Sequence, residues 1–194
     1  MGNYRGNWSP YIPRNLILHY TAPGELVLDQ MAGSGTTLVE CKLLGRRVVG
    51  VDINPDVVMM TRNRLDFSYA SLDADYVAPE IKTYVGDARC LDLIGSETID
   101  LIATHPPYAS IIPYSHDRVG DLSSVHNISE FQDEMRRVAV ECMHVLKPGK
   151  HCAREKWFGK KYDFYLIGHE HLYVFRKSDV GERVTKYKES MKWL

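Results

Sequence analysis

Short apolar segments alternate with segments of helical periodicity along the first half of this chain, and this alternation limits its possible folds more than any other feature. The apolar runs at residues 25–29 and 47–52 predict buried strands, and residues 36–44 and 54–65 predict the helices that follow them. Gly45 supplies a stop for the first helix, and Asn54-Pro55 supplies a cap and a first-turn proline for the second. Because strands that alternate with helices usually pair in parallel, the sequence predicts an α/β fold with helices on both faces of the sheet.

The second half of the chain continues the series. Residues 81–85 and 98–104 predict two further strands, and residues 129–146 predict a long amphipathic helix with Ser129 as its cap. A fifth strand begins at Lys150 and is expected to end after Ala153, where the sequence becomes charged. Residues 164–176 alternate enough to form an antiparallel last strand. The sequence therefore predicts a mostly parallel sheet that ends in an antiparallel strand.

The composition is that of one globular domain. The 194 residues are 44% hydrophobic and 25% charged, which excludes a disordered chain, a collagen-like fibre and a disulfide scaffold. No apolar run approaches the roughly 18 residues of a membrane helix, and the first residues lack the apolar core of a secretory signal. The four cysteines form no CxxC pair, which favours reduced thiols over zinc ligands. We therefore expect a cytoplasmic protein with no contact to membranes.

Positive charge is concentrated at the end of the chain. Residues 1–153 carry 14 Lys and Arg against 19 Asp and Glu, whereas residues 154–194 carry 10 against 6. A surface that faces phosphates and a solvated tail both fit this asymmetry. Within the basic part, residues 154–161 place Arg154, Lys156, Lys160 and Lys161 around Trp157, a pattern that suits contact with a nucleic-acid backbone.

A glycine turn joins the first strand to the first helix. In the segment LDQMAGSGTT, Gly33 and Gly35 let a ligand approach the backbone closely at a helix N-terminus. Asp52 ends the next strand, where its carboxylate is placed to accept both ribose hydroxyls of a nucleoside. The lysine of a GxxxxGK[ST] phosphate loop is absent from this turn, which disfavours a nucleoside triphosphate. The pattern predicts a nucleoside cofactor.

A second motif, His105-Pro106-Pro107-Tyr108, follows the fourth strand at the edge where open α/β sheets bind ligands. The prolines restrict the backbone and have no N–H to donate, so carbonyl oxygens face the cleft. The carbonyls of His105 and Pro106 can accept the hydrogens of a planar exocyclic amine while Tyr108 stacks on an extruded base. A Pro-Pro turn with a packing tyrosine is the alternative.

These segments together resemble the S-adenosylmethionine-dependent amino-methyltransferases of DNA, which act on N4 of cytosine or N6 of adenine. The resemblance rests on residues 7–17 (NWSPYIPRNLI), DQMAGSGTT, Asp52, the Gly-Asp-Ala of residues 86–88, and HPPY. It implies a Rossmann-like class I methyltransferase fold, S-adenosyl-L-methionine as cofactor, DNA as partner, and a place in a restriction-modification system. The implied cofactor-binding residues are Asp29, Met31, Gly33, Gly35, Asp52, Ile53, Asp87 and Ala88, and the implied catalytic residues are His105, Pro106, Pro107 and Tyr108.

Two departures from the family pattern bear on function. His105 stands where the family usually has Asp, Asn or Ser, and an imidazole accepts a hydrogen bond only through an unprotonated nitrogen. This non-acidic residue favours cytosine slightly over adenine. The family also has a helix and a sixth strand before its last strand, and their absence here favours a segment missing between Ala153 and Arg154. Otherwise we expect a single catalytic domain over residues 1–194, either monomeric or a homodimer.

Other interpretations remain open at this point. An RNA methyltransferase that acts on a guanine amine can carry a similar PPY motif, and a subunit that binds cofactor or DNA without catalysis would also fit. Methyl transfer to carbon 5 of cytosine is set aside because none of the cysteines follows a proline. His169 and His171 suggest strand packing, since no further ligand stands at a useful spacing for a metal. The loop at residues 110–126 is either a substrate-closing loop or an ordinary surface loop.

Overall fold

The computed structural model of the protein describes residues 8–74, 76–107, 119–156 and 171–182. The strands in these ranges are β1 Leu26–Asp29, β2 Arg47–Asp52, β3 Ile81–Val85, β4 Ile99–Thr104, β5 Leu146–Lys156 and β6 His171–Arg176. The α-helices are α1 Tyr11–Tyr20, α2 Thr36–Leu44, α3 Pro55–Leu65 and α4 Ile128–Val145. A short 3₁₀ turn lies at Leu122–Ser124.

The six strands form one sheet in the order β3-β2-β1-β4-β5-β6. The pairs from β3 to β5 are parallel, and β6 pairs with β5 in the antiparallel direction. This arrangement confirms the predicted fold class. Strand β1 has β2 on one side and β4 on the other, so the chain changes direction across the sheet at the carboxyl end of β1, where sheets of this type form a ligand crevice.

Helices cover both faces of the sheet because alternate strand residues point to opposite sides. On one face, Leu16 and Ile17 of α1 and Leu38 of α2 pack against Val27 and Leu101. On the other face, the α4 residues Val138, Cys142 and Val145 pack against Leu28, Val49 and Ile102, with Ala88, Leu91 and Ile94 of the β3–β4 connection filling the remaining space. The strands β1 and β4 are buried on both sides, which explains their continuous apolar sequences.

One predicted helix boundary needs correction, and one helix was not predicted. Asn127, and not Ser129, caps α4: its side-chain oxygen accepts hydrogen bonds from the backbone N–H groups of Ser129 and Glu130, so the helix begins at Ile128. Residues 11–20, which carried no helix prediction, form α1. The cap was misplaced because either side chain can accept from the N–H two or three residues later, and only the backbone conformation selects one.

Strand β5 does not end after Ala153, as the sequence predicted. It runs from Leu146 to Lys156, with Ala153 opposite Ala103 of β4 and Val174 of β6, and Arg154 opposite Thr104 and Tyr173. Strand pairing on both sides therefore holds the charged residues in extended conformation. The expected segment between Ala153 and Arg154 stays a prediction. Residues 164–170 of the predicted last strand lie outside the described residues.

Among the described residues, no helix combines the length and apolar character that crossing a membrane requires.

Candidate active site

A cavity opens at the carboxyl ends of β1, β2, β3 and β4, at the point where the strand order changes direction. The cavity is open to solvent and has a volume of about 830 Å³, which includes the space at its mouth. The residues that line it are Trp8, Asp29, Gln30, Met31, Ala32, Gly33, Thr36, Asp52, Ile53, Asn54, Asp87, Ala88, His105, Pro107, Gly120, Asp121 and Leu122.

The glycine turn forms one wall of the cavity, and α3 and β2 hold it in shape. Gly35 caps α2 with φ of +80°, and a Cβ added there would lie 2.5 Å from Cγ2 of Thr61. The Thr61 hydroxyl donates to the carbonyl of Gly33 at 2.7 Å. This position therefore needs glycine for both its backbone conformation and its contact with α3.

Asp52 joins the end of β2 to two neighbouring backbone segments. One carboxylate oxygen accepts from the N–H of Gly33 at 2.9 Å, and the other accepts from the N–H of Asn54 at 2.9 Å. Each carboxylate oxygen has two lone pairs, so one carboxylate can accept from backbone N–H groups and from hydroxyl groups together. The predicted ribose-binding carboxylate is thus oriented by the glycine turn and by the start of α3.

Asp29 lies at the end of β1 and is only 2% exposed. It accepts hydrogen bonds from the Thr37 hydroxyl at 2.6 Å and from the N–H of Met31 at 3.2 Å. Burial raises the pKa of Asp29 to about 6, although these two hydrogen bonds act in the opposite direction. The carboxyl is therefore predominantly ionised at neutral pH and fixes the first residues of the turn.

Asp87 follows β3 and is held by Arg89. The Arg89 Nε lies 2.8 Å and 3.0 Å from the two carboxylate oxygens, and the same guanidinium donates to the carbonyl of Gly120 at 2.9 Å and to Glu134 of α4. Burial acts to raise the pKa of Asp87, but the hydrogen bonds and charge of Arg89 outweigh it and lower the pKa. Asp87 therefore faces the cavity as a carboxylate of fixed orientation.

The His-Pro-Pro segment follows β4 and forms the opposite side of the cavity. His105 and Pro107 line it, and Pro106 lies between them. The imidazole of His105 stacks on the indole of Trp8, with ring centroids 5.7 Å apart. Tyr108, the fourth predicted catalytic residue, lies outside the described residues.

The charges in the cavity suit a cationic ligand. Four lining residues are aspartates (Asp29, Asp52, Asp87 and Asp121), and no Lys or Arg is found among the described lining residues. A polyphosphate would be repelled by this arrangement, whereas the sulfonium of S-adenosylmethionine would be attracted. The residues present therefore fit the cofactor that the resemblance implies, with Asp52 for its ribose and Asp87 for its adenine amine.

Most predicted site residues meet in this cavity although they come from four separate segments. Asp29, Met31, Gly33, Asp52, Ile53, Asp87, Ala88, His105 and Pro107 all line it, and Gly35 lies behind the turn as the cap of α2. The predicted site residues did not include Trp8, Gln30, Ala32, Thr36, Asn54, Gly120, Asp121, Leu122 or Arg89, although Trp8 and residues 30, 32 and 36 lie in the segments that carry the resemblance and residues 120–122 lie in the predicted loop. Arg89 could have been predicted from the sequence, because an arginine two residues after an aspartate can donate two hydrogen bonds to its carboxylate. Residues 120–122 carry no motif that would have identified them.

Three further sequence features fall partly outside the described residues. These are His169 with Glu170, the loop positions Tyr114, His116 and Arg118, and the basic residues Lys160 and Lys161 with Trp157. In the parts of the chain that the structure does describe, no three His, Cys, Asp or Glu side chains come together as metal ligands would.

The sequence matches several methyltransferases. Residues 3–63 match the N6/N4 methyltransferase family model, described as DNA methylase. A tRNA (guanine(10)-N2)-dimethyltransferase from Methanothermobacter thermautotrophicus is 36% identical over 106 residues, which cover 54% of this chain and 29% of that protein. The type II methyltransferase M2.DpnII from Streptococcus pneumoniae is 41% identical over 56 residues, which cover 29% of this chain and 21% of that protein. The chain thus spans about a third or less of the length of these relatives.

Solved structures share the fold. A SAM-dependent methyltransferase from Methanosarcina mazei superposes with a TM-score of 0.53 at 22% identity, covering 73% of this chain and 57% of that one. The YcgJ protein from Bacillus subtilis gives a TM-score of 0.50 at 16% identity, covering 76% and 51%. At these identities the likeness concerns the fold alone.

Proposed function

We propose that this chain, which matches the DNA methylase family model over residues 3–63 and a type II DNA methyltransferase over 56 residues, methylates an exocyclic amine of a base in DNA. The family match and the methyltransferase fold confirm S-adenosyl-L-methionine as the predicted cofactor. One observation carries the proposal: a single cavity is lined both by Asp52 and Asp87, which suit a nucleoside, and by His105 and Pro107, which suit a planar amine.

The chief task of the protein in this reaction is to position the cofactor and the target amine. When bound, S-adenosylmethionine supplies a methyl group on a positively charged sulfur. Asp52 and Asp87 hold the nucleoside part, and the glycine turn at Gly33 lets the methionine part lie close to the backbone. His105 and the carbonyl of Pro106 accept hydrogens of the target amine, which raises the electron density on its nitrogen. Methyl transfer to the amine nitrogen would release S-adenosylhomocysteine and one amine proton, which would pass to solvent water, and it would need no covalent bond to the protein.

The nature of residue 105 favours cytosine N4 slightly over adenine N6. A neutral imidazole at this position offers one acceptor nitrogen and no negative charge, in contrast to the aspartate that many family members carry there. His105 and Pro107 face the same cavity as the cofactor-binding carboxylates, which supports their contact with the base. Tyr108 would stack on the extruded base, as the family pattern implies.

A second candidate substrate is a guanine amine in RNA. It is favoured by the length of the match to the archaeal tRNA dimethyltransferase, which covers 54% of this chain against 29% for the DNA enzyme M2.DpnII. Guanine N2 is also an exocyclic amine on a planar ring, so the same acceptors would serve it. The two candidates differ in the polynucleotide and in the base, and one assay separates them.

The test is nucleoside mass spectrometry after incubation with methyl-deuterated S-adenosylmethionine. Unmethylated plasmid DNA and an unmodified tRNA transcript are incubated separately with the purified full chain. Deuterated N4-methylcytosine or N6-methyladenine from the DNA supports the main proposal, and deuterated N2-methylguanosine from the tRNA supports the second candidate. A chain that binds the cofactor but labels neither polymer contradicts both and favours a non-catalytic binding subunit.

Two variants locate the activity in the cavity. Asp52→Ala removes the ribose acceptor and should weaken cofactor binding, whereas His105→Ala should retain the cofactor and lose turnover. Asp92→Asn is the matched control, because Asp92 is an exposed aspartate on the β3–β4 connection that does not line the cavity. Equal activity in His105→Ala and the wild-type chain would contradict the role of His105.

A further inference from the structure

The indole of Trp8 and the imidazole of His105 stack on each other in the lining of the cavity. Their ring centroids are 5.7 Å apart and their planes differ by 11°. Near-parallel planes at this centroid distance describe an offset stack, a favoured arrangement of two aromatic rings. The residues are far apart in the sequence, and both line the cavity. The contact therefore joins the N-terminal segment directly to the His-Pro-Pro motif.

Trp8 is anchored in the core of the protein. Its side chain is 6% exposed and belongs to the cluster formed by Leu16 and Ile17 of α1, Val27 of β1 and Leu101 of β4, of which the last three are fully buried. Side chains in such a close-packed cluster have little room to change rotamer. The indole therefore offers His105 a fixed surface.

His105 is restricted in both its backbone and its ring. A residue that precedes proline is held in extended conformation, so Pro106 limits the backbone of His105. The stack on Trp8 then sets the plane of the imidazole. Hydrogen bonds of an imidazole are made by nitrogens at the edge of the ring, so contact on the ring face orients these nitrogens without competing for them.

We propose that Trp8 is a positioning residue for methyl transfer, which orients the His105 imidazole toward the target amine. This inference rests on the proposed function, because it assigns the contact with the amine to His105. Trp8 acts through His105 and takes no part in the bond changes. A residue that only fills the core, or that only contacts the cofactor, would act equally whatever side chain stands at position 105.

A double-mutant cycle separates these roles. Single-turnover rates are measured at saturating S-adenosylmethionine, on plasmid DNA and on the tRNA transcript, for Trp8→Leu alone and in a His105→Asn background. Asparagine keeps an acceptor and removes the ring. Trp8→Leu should lower the rate about tenfold when His105 is present and less than about twofold in the His105→Asn background, as expected for residues that act as a pair. Trp8→Phe retains an aromatic face and should recover most of the rate.

Tyr20→Leu is the matched control. Tyr20 of α1 pairs with His151 of β5 at a centroid distance of 4.5 Å, packs on the same core cluster and does not line the cavity. Its loss should lower stability without the dependence on residue 105. Equal loss of rate from Trp8→Leu in both backgrounds would overturn the inference and assign Trp8 to packing or to the cofactor.

The ring protons of His105 provide a readout that does not depend on activity. The ring current of a stacked indole changes their NMR chemical shifts, and this contribution should disappear in Trp8→Leu and persist in part in Trp8→Phe. Identical signals in Trp8→Leu and wild type would overturn the inference while leaving the proposed function intact. An intact shift in a wild-type chain that methylates neither polymer would instead overturn the proposed function, and with it the role of Trp8 in methyl transfer.

Discussion

At Asp29, burial and hydrogen bonding act on one carboxyl in opposite directions. The side chain is 2% exposed, and its pKa rises to about 6 from an ordinary value of 3.8 despite two hydrogen bonds that favour the ionised form. The cavity thus contains a carboxyl that is costly to ionise beside the more exposed Asp52. A cationic cofactor would reduce this cost, because it would supply the positive charge that the neighbouring residues lack.

The raised pKa of Asp29 gives the cofactor-free protein a pH dependence of stability. The stabilising contribution is fully present below pH 3.8 and is lost as the pH rises through about 6. Relative to Asp29→Asn, the free energy of unfolding of the wild type should fall by up to about 3 kcal/mol between pH 4 and pH 7.5. Urea unfolding of both chains at several pH values measures this difference. A pH-independent difference between Asp29→Asn and wild type would contradict the prediction.

Among the structural elements, the packing of α3 against the glycine turn controls the shape of the cavity wall. The hydroxyl of Thr61 in α3 donates a hydrogen bond to the Gly33 carbonyl, and its methyl group lies where it would clash with a Cβ on residue 35. Gly24 provides a natural comparison, since it has the same φ of +80° with nothing within 4 Å of an added Cβ. The two glycines therefore differ in steric contact and share their backbone conformation.

Substituting alanine for each of these two glycines in turn should separate the stability cost of backbone strain from that of steric contact. Gly24→Ala should cost about 1 kcal/mol of stability from its positive φ alone. Gly35→Ala should cost a further 1–3 kcal/mol, roughly, because the buried Thr61 cannot move away, and should also weaken cofactor binding. Thermal or urea unfolding measures the cost. Thr61→Ser removes the opposing methyl group, so the double variant should recover part of the loss, and equal costs for the two single variants would refute the steric explanation.

On the scale of the whole molecule, Arg89 connects three parts of the chain around the cofactor cavity. It binds Asp87 on the β3–β4 connection, Glu134 on α4 and the carbonyl of Gly120 at the end of the segment that follows the His-Pro-Pro motif. Gly120 has φ of +90°, and a Cβ there would lie 2.9 Å from the Arg89 guanidinium. Arg89 therefore links Asp87, which we propose as a cofactor-binding residue, to the backbone at Gly120.

Loss of Arg89 should weaken cofactor binding by roughly 10- to 100-fold, the range expected when a charged hydrogen-bond partner is removed. S-adenosylhomocysteine at 100 times its Kd for the wild type should raise the free energy of unfolding of the wild type by about 2.7 kcal/mol. The same concentration should raise that of Arg89→Ala by much less. Calorimetric titration and thermal unfolding measure the two effects. Arg137→Ala is the control, because Arg137 also pairs with Glu134 but is 63% exposed and does not line the cavity. Equal affinity in Arg89→Ala and Arg137→Ala would contradict this role.

Most strands and helices were predictable because each carries its own periodic pattern. The bounds of α2, β2 and β3 agree with the sequence prediction. The start of strand β5 was misjudged because Pro148-Gly149 is typical of a stop, and its end was misjudged because the residues after Ala153 are charged. The structure instead places these residues where the register against β4 shifts between Ile99 and Leu101, and the strand continues on either side of them. Pairing with neighbouring strands, which no local pattern encodes, decided its extent.

The sequence by itself determined the fold class and the motif residues of the cavity, because strand and helix periodicity and the spacing of glycines, aspartates and prolines are local properties. Only the tertiary structure decided that Trp8 stacks on His105, that Arg89 joins Asp87 to Gly120, and that Asp121 faces the same cavity as Asp52. These contacts join residues from separate segments. They depend on how the helices pack on the sheet, which is set by the combined burial of many side chains and by no single stretch of sequence.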